Sequence, residues 1–550
     1  MVLTYAAVLE EVAGRRDTAR DGAAPGHEPE LWARLRRFLV LGADGAAYHV
    51  APRDLTRDDA AVVAAGLAED GLRVVAEILA VAEAGRAPHP EPGLFALALA
   101  AAAECDETRR AALAALPRVA RTGAHLFRFA GYVQSLRGWG RGLRRAVGGW
   151  YNARTPTELV YQAVKHPALG GWTHPDLLRL GHPKAASPAH DAVYKWLVSG
   201  ELRAETVRAL PDGAALAPLV VLGLLRHETD PRAAARLIRL ARLPREAVPP
   251  ALLGSAEVWA ALLETMPLGA MLRSLGTMAA VGLLTAGGDA TRTVADRLGD
   301  EARVARSGLH PIGVLAARKA YARGQGEEGA AWAPVPAVLD ALDVAFDAAV
   351  ANVVPTGRRL RLALGVGPAM DRLRVTGLPL LSAREVTAAM ALVAARVEPD
   401  LEVVAYGPGI VPVAVAPWQR LDEVAATLRA IPAGPADPDL AVRDALRRGV
   451  RVDAFVSLLG GTNDGPAGTA DDAAPAPGAG DGHGAAGPAA DPLALYREAT
   501  GTAVRQAVVA LGGDAGPAPA DGAADLGRLA YHGFDATTPA ILGQFVRGEL

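Results

Sequence analysis

The sequence predicts two unlike halves. A long all-helical module of stacked helix pairs comes first, and an α/β domain built on a parallel sheet follows. Three observations carry this. At 550 residues the chain is too long for a single core. From about residue 29 to 350 it reads as a series of helical segments, each roughly a dozen residues long, with no comparable alternating-strand pattern. Beyond Val353 strand-like and helix-like runs alternate, which implies a parallel sheet flanked by helices.

Within the first half, "PGLFALALAAAAE", "TRRAALAALPRVA", "PAHDAVYKWLVSG" and "SAEVWAALLETM" are helices punctuated by Pro, Gly or a capping residue. Many short helices in series suggest a solenoid of helix pairs, although no clean sequence period defines a repeat. The character changes at "VVPTGRR". After it, "LRLALGV", "DLEVVAYG" and "VDAFVSLLGG" read as buried strands, and "AREVTAAMALVAARVE" and "RLDEVAATLRAIPAG" as helices. The expected division is a flexible segment over 1–28, a helical module over 29–355 and an α/β domain over 356–550. Residues 462–492 contain no Leu, Ile, Val, Met or aromatic residue and are expected to form a disordered loop. Residues 512–525 form a second segment of this kind.

Composition excludes several classes. An apolar content of 51% rules out wholesale disorder. One cysteine, Cys105, rules out disulfide frameworks and cysteine zinc sites and fits a reducing compartment. The opening "MVLTYAAVLEEVAGRR" lacks the order of a secretory signal, and runs such as "ALAPLVVLGLL" are too short to span a bilayer. The expectation is a soluble cytoplasmic protein with no membrane contact. No Gly-x-x-x-x-Gly-Lys-Ser/Thr loop is present, and "GGTNDGPAG" lacks the strand-to-helix setting of a nucleotide loop. Neither catalysis nor a cofactor is expected.

Charge is concentrated in one place. Arg118 to Lys184 holds eleven Lys or Arg against Glu158 and Asp176. That is +9 in a chain of net −3, so the remainder carries −12. A basic face on a mildly acidic protein is the footprint of a polyanion site. Arg141, Arg144 and Arg145 are spaced to share one side of a helix. The block is interleaved with Phe127, Phe129, Tyr132, Trp139, Trp150, Tyr151, Tyr161 and Trp172, most of them expected in the core. Exposed rings could stack on unpaired bases, and arginine forks could grip phosphate. The competing interpretation is a solvated basic helix face over core aromatics. His125, His166, His174 and His182 show no metal-binding spacing on any one helix. His182 and Lys184, in "RLGHPK", suit a phosphate or base-edge contact.

Several segments together resemble a known family. "ARLRRFLVLGADGAAYHV", "AHLFRFAGYV", "GWGRGLRRAVGGWYN", "GWTHPDLLRLGHPK", "EVWAALLETMPLGAMLRSLG" and "GLHPIGVLAAR" are similar to the TROVE module of the Ro autoantigen and its bacterial relatives. "VPTGRRLRLALGVGPAM", "IPAG" and "HGFDATTPAILGQFVRG" are similar to the von Willebrand factor A-like domain that follows it. The resemblance runs in order from about residue 29 to the C-terminus. It implies an α-helical HEAT-like repeat ring closed by the A-like domain, and a monomer. It implies binding of small noncoding Y-like RNA on an outer basic surface and of single-stranded 3′ ends of defective RNA in a central hole. It also implies an exoribonuclease as partner in RNA quality control or decay.

Position by position, Lys165 and His182 match family residues that touch Y RNA, while a neighbouring family arginine falls on Leu169. Arg121, His125, Arg141, Arg144, Arg145 and Lys184 lie in segments expected to face RNA. Arg273 in "AMLRSLG" is a weaker RNA-binding candidate, and His310 in "GLHPIG" could be structural. The A-like domain of the family carries a magnesium site with an Asp-x-Ser-x-Ser loop. Here those positions are Gly365, Gly367 and Ala369. The later loop positions fall on Ala436, beside Asp437, and on Leu459 and Gly460. Magnesium needs several oxygen ligands, and these residues offer almost none. The metal site is expected to be degenerate. Two rivals stand beside the RNA reading: a helical protein-interaction scaffold whose basic face meets an acidic protein, and a phage-defence or RNA-repair accessory.

Overall fold

In the computed structural model, residues 30–550 are described except 46, 51–53, 212, 327–328, 462–490 and 513–524. The expected flexible segment at 1–28 and most of both expected loops therefore lie outside the described residues.

Helices fill the first half as the segment pattern predicts. "PGLFALALAAAAE" forms Glu91–Ala101, "TRRAALAALPRVA" falls in Asp106–Val119, "PAHDAVYKWLVSG" forms Pro188–Ser199 and "SAEVWAALLETM" forms Ala256–Thr265. Successive helices pack in layers around one apolar core in which Trp32, Phe38, Trp150 and Trp259 are buried. Alanine-rich faces let the layers approach closely. At Gly71, on the Ala61–Glu83 helix, an added Cβ would sit 2.2 Å from the Thr108 hydroxyl of the next layer. Any side chain there would push the two helices apart.

The second half is an α/β unit on a seven-stranded sheet. In chain order its strands are β1 (Ala47–His49), β2 (Leu360–Gly365), β3 (Leu401–Tyr406), β4 (Ile410–Pro412), β5 (Ala454–Leu459), β6 (Arg505–Ala510) and β7 (Arg528–His532). The spatial order is β1-β7-β6-β5-β2-β3-β4, with every neighbouring pair parallel except β3 and β4. Strands β2 and β5 are buried along their whole length, as central strands covered on both faces must be. The three strands expected from sequence are β2, β3 and β5, and both expected helices form, as Ala383–Val397 and Leu421–Ala430.

Two features correct the sequence expectation. The 29–355 stretch is not purely helical: β1 pairs with β7 and belongs to the sheet of the other domain. A three-residue strand is too short to show alternation. The expected loop 462–492 is also shorter at its end, because Asp491 caps a helix that starts at Pro492.

The helical module meets the sheet domain at both of its ends. At the first, β1 completes the sheet, and the buried Arg37 guanidinium donates to the Arg528 carbonyl at 2.7 Å. At the second, the Pro311–Ala322 helix packs on the Ala383–Val397 helix, and Lys319 pairs with Glu385. The chain thus runs in a closed circuit.

Candidate nucleic-acid interface

Two helices and the turn that follows the second build the cationic face. The Arg141–Asn152 helix buries Leu143, Val147, Trp150 and Tyr151 and leaves Arg141, Arg144 and Arg145 exposed. The His174–Gly181 helix ends at His182, whose φ of 42° is left-handed and turns the chain back across the first helix. An imidazole in that conformation is uncommon and costs some strain. The crossing is tight: a Cβ on Gly148 would lie 3.0 Å from Pro183. The amide of Asn152 donates to the Lys184 carbonyl at 2.9 Å and fixes the turn. His182 and Lys184, both exposed, therefore stand beside the three arginines. Among the described residues no acid pairs with any of these five side chains.

A second group lies across Arg154. That guanidinium stacks 3.6 Å over the Trp150 ring and donates to the carbonyls of Trp150, Ala120 and Arg121. Burial pushes its pKa down to about 10. It is a brace, and it holds the backbone at Arg121, whose own side chain is exposed. Lys165 is committed elsewhere: its Nζ lies 2.5 Å from the Glu246 carboxylate, with both groups about one-third exposed. Any phosphate reaching Lys165 must compete with that carboxylate. Leu169 sits in a short strand beside it, half-buried. His125 is half-buried, and desolvation first, then the Arg121 charge, lowers its pKa. Arg273 is exposed on the Leu268–Ala280 helix, a separate element that does not belong to this face.

Fewer of the eight aromatic residues are core than the expected majority. Phe127, Phe129, Trp150 and Tyr151 are core, Tyr132, Trp139 and Trp172 are half-buried, and Tyr161 is exposed. His174 is also core. Its Nδ1 and the Tyr151 hydroxyl share a 2.8 Å hydrogen bond, and burial drops its pKa to about 4. His310 caps the Pro311–Ala322 helix by accepting from the Ile312 amide, and its pKa is likewise near 4. Both are structural.

A further cationic strip went unread in the sequence. Arg232, Arg236, Arg239, Arg242 and Arg245 recur every three or four residues with no acid between them. The first three share the exposed side of the Pro231–Ala241 helix, and Arg242 closes it with a φ of 50°. Arg239 pairs with Glu264. The strip adjoins Lys165 through Glu246. The arginine spacing was the available signal.

At the strand ends of the sheet domain, Gly365, Gly367, Ala369, Ala436 and Gly460 supply no side-chain oxygen. The buried Arg384 guanidinium donates instead to the carbonyls of Val366 and Gly367, each at 2.9 Å, and faces Asp371 at 3.4 Å. Asp371 is also held by Arg429 at 2.7 Å. Asp437 caps the Pro438–Arg448 helix. A fixed cation thus occupies the loop where the resemblance places magnesium, and the residues present do not fit that ion. Among the described residues no group of three or more His, Cys, Asp or Glu could hold a metal.

The TROVE domain family matches residues 26–206 and 225–325, and the Ro60 vWA domain family matches 359–465. The chain belongs to the TROVE family. Two curated TROVE relatives carry the name RNA-binding protein RO60. The one from Deinococcus radiodurans is 35% identical over 94% of this chain and 93% of its own length. The one from Caenorhabditis elegans is 28% identical over 94% of this chain and 88% of its own. The crystal structure of the Deinococcus radiodurans RO (RSR) protein superposes with a TM-score of 0.83 at 34% identity, covering 94% of this chain and all of that one. This TROVE chain has, among its described residues, no helix long and apolar enough to cross a membrane.

Proposed function

We propose that this chain binds RNA without acting on it. Small, folded, Y-like noncoding RNA lies on the face formed by Arg121, Arg141, Arg144, Arg145, His182 and Lys184, with Lys165 engaged once Glu246 yields. Single-stranded 3′ ends of defective RNA are a second ligand, and an exoribonuclease is the partner that consumes them. The chain works as a cytoplasmic monomer. One observation carries the reading: five exposed cationic or imidazole side chains are held side by side by a tight backbone crossing, with no acid among the described residues paired to them. Guanidinium and ammonium groups left unpaired on a rigid platform suit phosphate, and the names of the two relatives fit that ligand.

The test is a filter-binding titration of a small structured RNA against salt. Binding weakens steeply as salt rises, because each neutralised phosphate releases counterions. The triple change Arg141→Gln, Arg144→Gln and Arg145→Gln lowers the slope of log affinity against log salt by about 2 to 3. A flat dependence in the unaltered chain would refute the reading. Lys165→Gln should have a smaller effect than any of the three arginines, because Glu246 already neutralises it.

A further inference from the structure

The Asp106–Val119 helix, the end of the Gly123–Leu136 helix and the start of the Arg141–Asn152 helix enclose a recess of about 520 Å³. Its lining includes four arginines, Arg109, Arg110, Arg137 and Arg141, and one acid, Asp106, for a net +3.

Three of the four guanidiniums are tethered by backbone carbonyls. Arg109 donates to Ala103 at 2.9 Å and to Glu104 at 3.2 Å, and pairs with Asp106. Arg110 donates through Nε to Asp106 at 3.2 Å, which leaves both terminal nitrogens without an acceptor among the described residues. Arg137 donates through Nη1 to Ala101 at 2.7 Å. Arg141 has no acceptor at all among them. Tethering by one N–H holds the remaining N–H groups in place, so little order is lost when a ligand arrives. Among the described residues no side chain caps the first turn of the Arg141–Asn152 helix at this wall, so its amides add donors of the same sign.

We propose that this recess is a pocket for the terminal phosphate of an RNA strand. The charge decides for an end over an internal linkage. An internal phosphodiester carries one negative charge. A terminal phosphomonoester carries about −1.5 to −2 at pH 7 and offers three acceptor oxygens. Several forked donors with a net +3 match the second better than the first. The size suits a nucleotide, within the roughly 300–1,000 Å³ of small-ligand sites. The proposal rests on the RNA-binding reading above, and Arg141 joins the pocket to that face.

Fluorescence polarisation with one oligoribonucleotide in three forms tests it: 5′-phosphorylated, 3′-phosphorylated and hydroxyl at both ends. One phosphorylated form should bind about tenfold more tightly than the hydroxyl form, equivalent to about 1.4 kcal/mol. Which form does so tells the 5′ from the 3′ end. In the double variant Arg110→Gln with Arg137→Gln that ratio falls to about one. The single Arg110→Gln, an exposed change, lowers the ratio in the same direction with the fold secure. Equal binding of all three forms, or a preference that survives the double variant, overturns the pocket and leaves the RNA reading standing. Calorimetry with AMP against adenosine separates the two further. Uptake of AMP alone by a chain that binds no strand keeps the pocket and sinks the RNA reading. Binding of neither strand nor AMP sinks both.

Discussion

The cationic face of the helical module and the core of the sheet domain use arginine in opposite ways. In the module, Arg141, Arg144 and Arg145 stand in solvent, and among the described residues no carboxylate pairs with them. In the sheet domain, Arg361 is fully buried on β2. It pairs with Asp444 and with Glu402 at 3.1 Å, and donates to the Ala441 carbonyl at 2.9 Å. Arg384 is buried against two carbonyls and Asp371. Burying a guanidinium is costly unless acids or carbonyls face it, as they do Arg361 and one terminal nitrogen of Arg384, so these belong to the fold. An exposed, unmatched one costs the fold little and is free for a ligand. The pairing of an arginine, more than its presence, separates structure from recognition in this chain.

The sharpest way to break that contrast is Arg361→Ala. It removes the buried partner of Asp444 and Glu402, leaves them only the more exposed Arg447 and Arg448, and should destabilise the chain by about 3 kcal/mol in urea unfolding. A loss below 1 kcal/mol would show that the buried pair is not structural. Next comes the exposed side. The triple Arg141, Arg144 and Arg145→Gln change should cost about a hundredfold in RNA affinity at moderate salt while moving the melting temperature by no more than about 2 °C. An equal fall in stability would erase the distinction between the two regions.

Acid gives the third test. His174 and His310 have pKa values near 4, depressed by burial from an ordinary 6.5. Between those values the unfolded chain binds more protons than the folded one. Their stabilising contribution is therefore complete above pH 6.5 and is lost as pH falls toward 4. The loss at pH 5 is about 2 kcal/mol for each histidine. Unfolding free energies measured from pH 7 to 5 should fall accordingly, and the fall should shrink in His174→Gln. A pH-independent profile would contradict the burial of both rings. The smallest expected effect is that of magnesium. Millimolar magnesium should leave the melting temperature unchanged within about 1 °C. A saturable rise would show that Arg384 does not take the place of the metal.

Legibility from sequence followed element length and charge. Helices of about a dozen residues announced themselves, and so did β2, β3 and β5, which are continuous apolar runs. Strands β6 and β7 went unread because "RQAVVA" and "RLAYH" mix polar residues into short runs. The cationic block was visible as composition. Which of its members faces outward was not, because burial of His125 and His174 depends on neighbours brought from other helices. Glycine at 365 and 367 declared the missing oxygens. The arginine that fills the gap comes from a helix start nearly twenty residues on, and only the fold shows it.

Strand β1 has a consequence for how the molecule is made. Residues 47–49 find their partner at 530–532, so this contact spans nearly the whole polypeptide. A ribosome delivers the first strand long before the last. Until then the early helices wait with one edge uncovered, and the final stitch carries a loop-closure cost that grows with the logarithm of the intervening length. Sealing the loop is therefore the last act of biogenesis, and a nascent chain halted short of residue 528 would stay open.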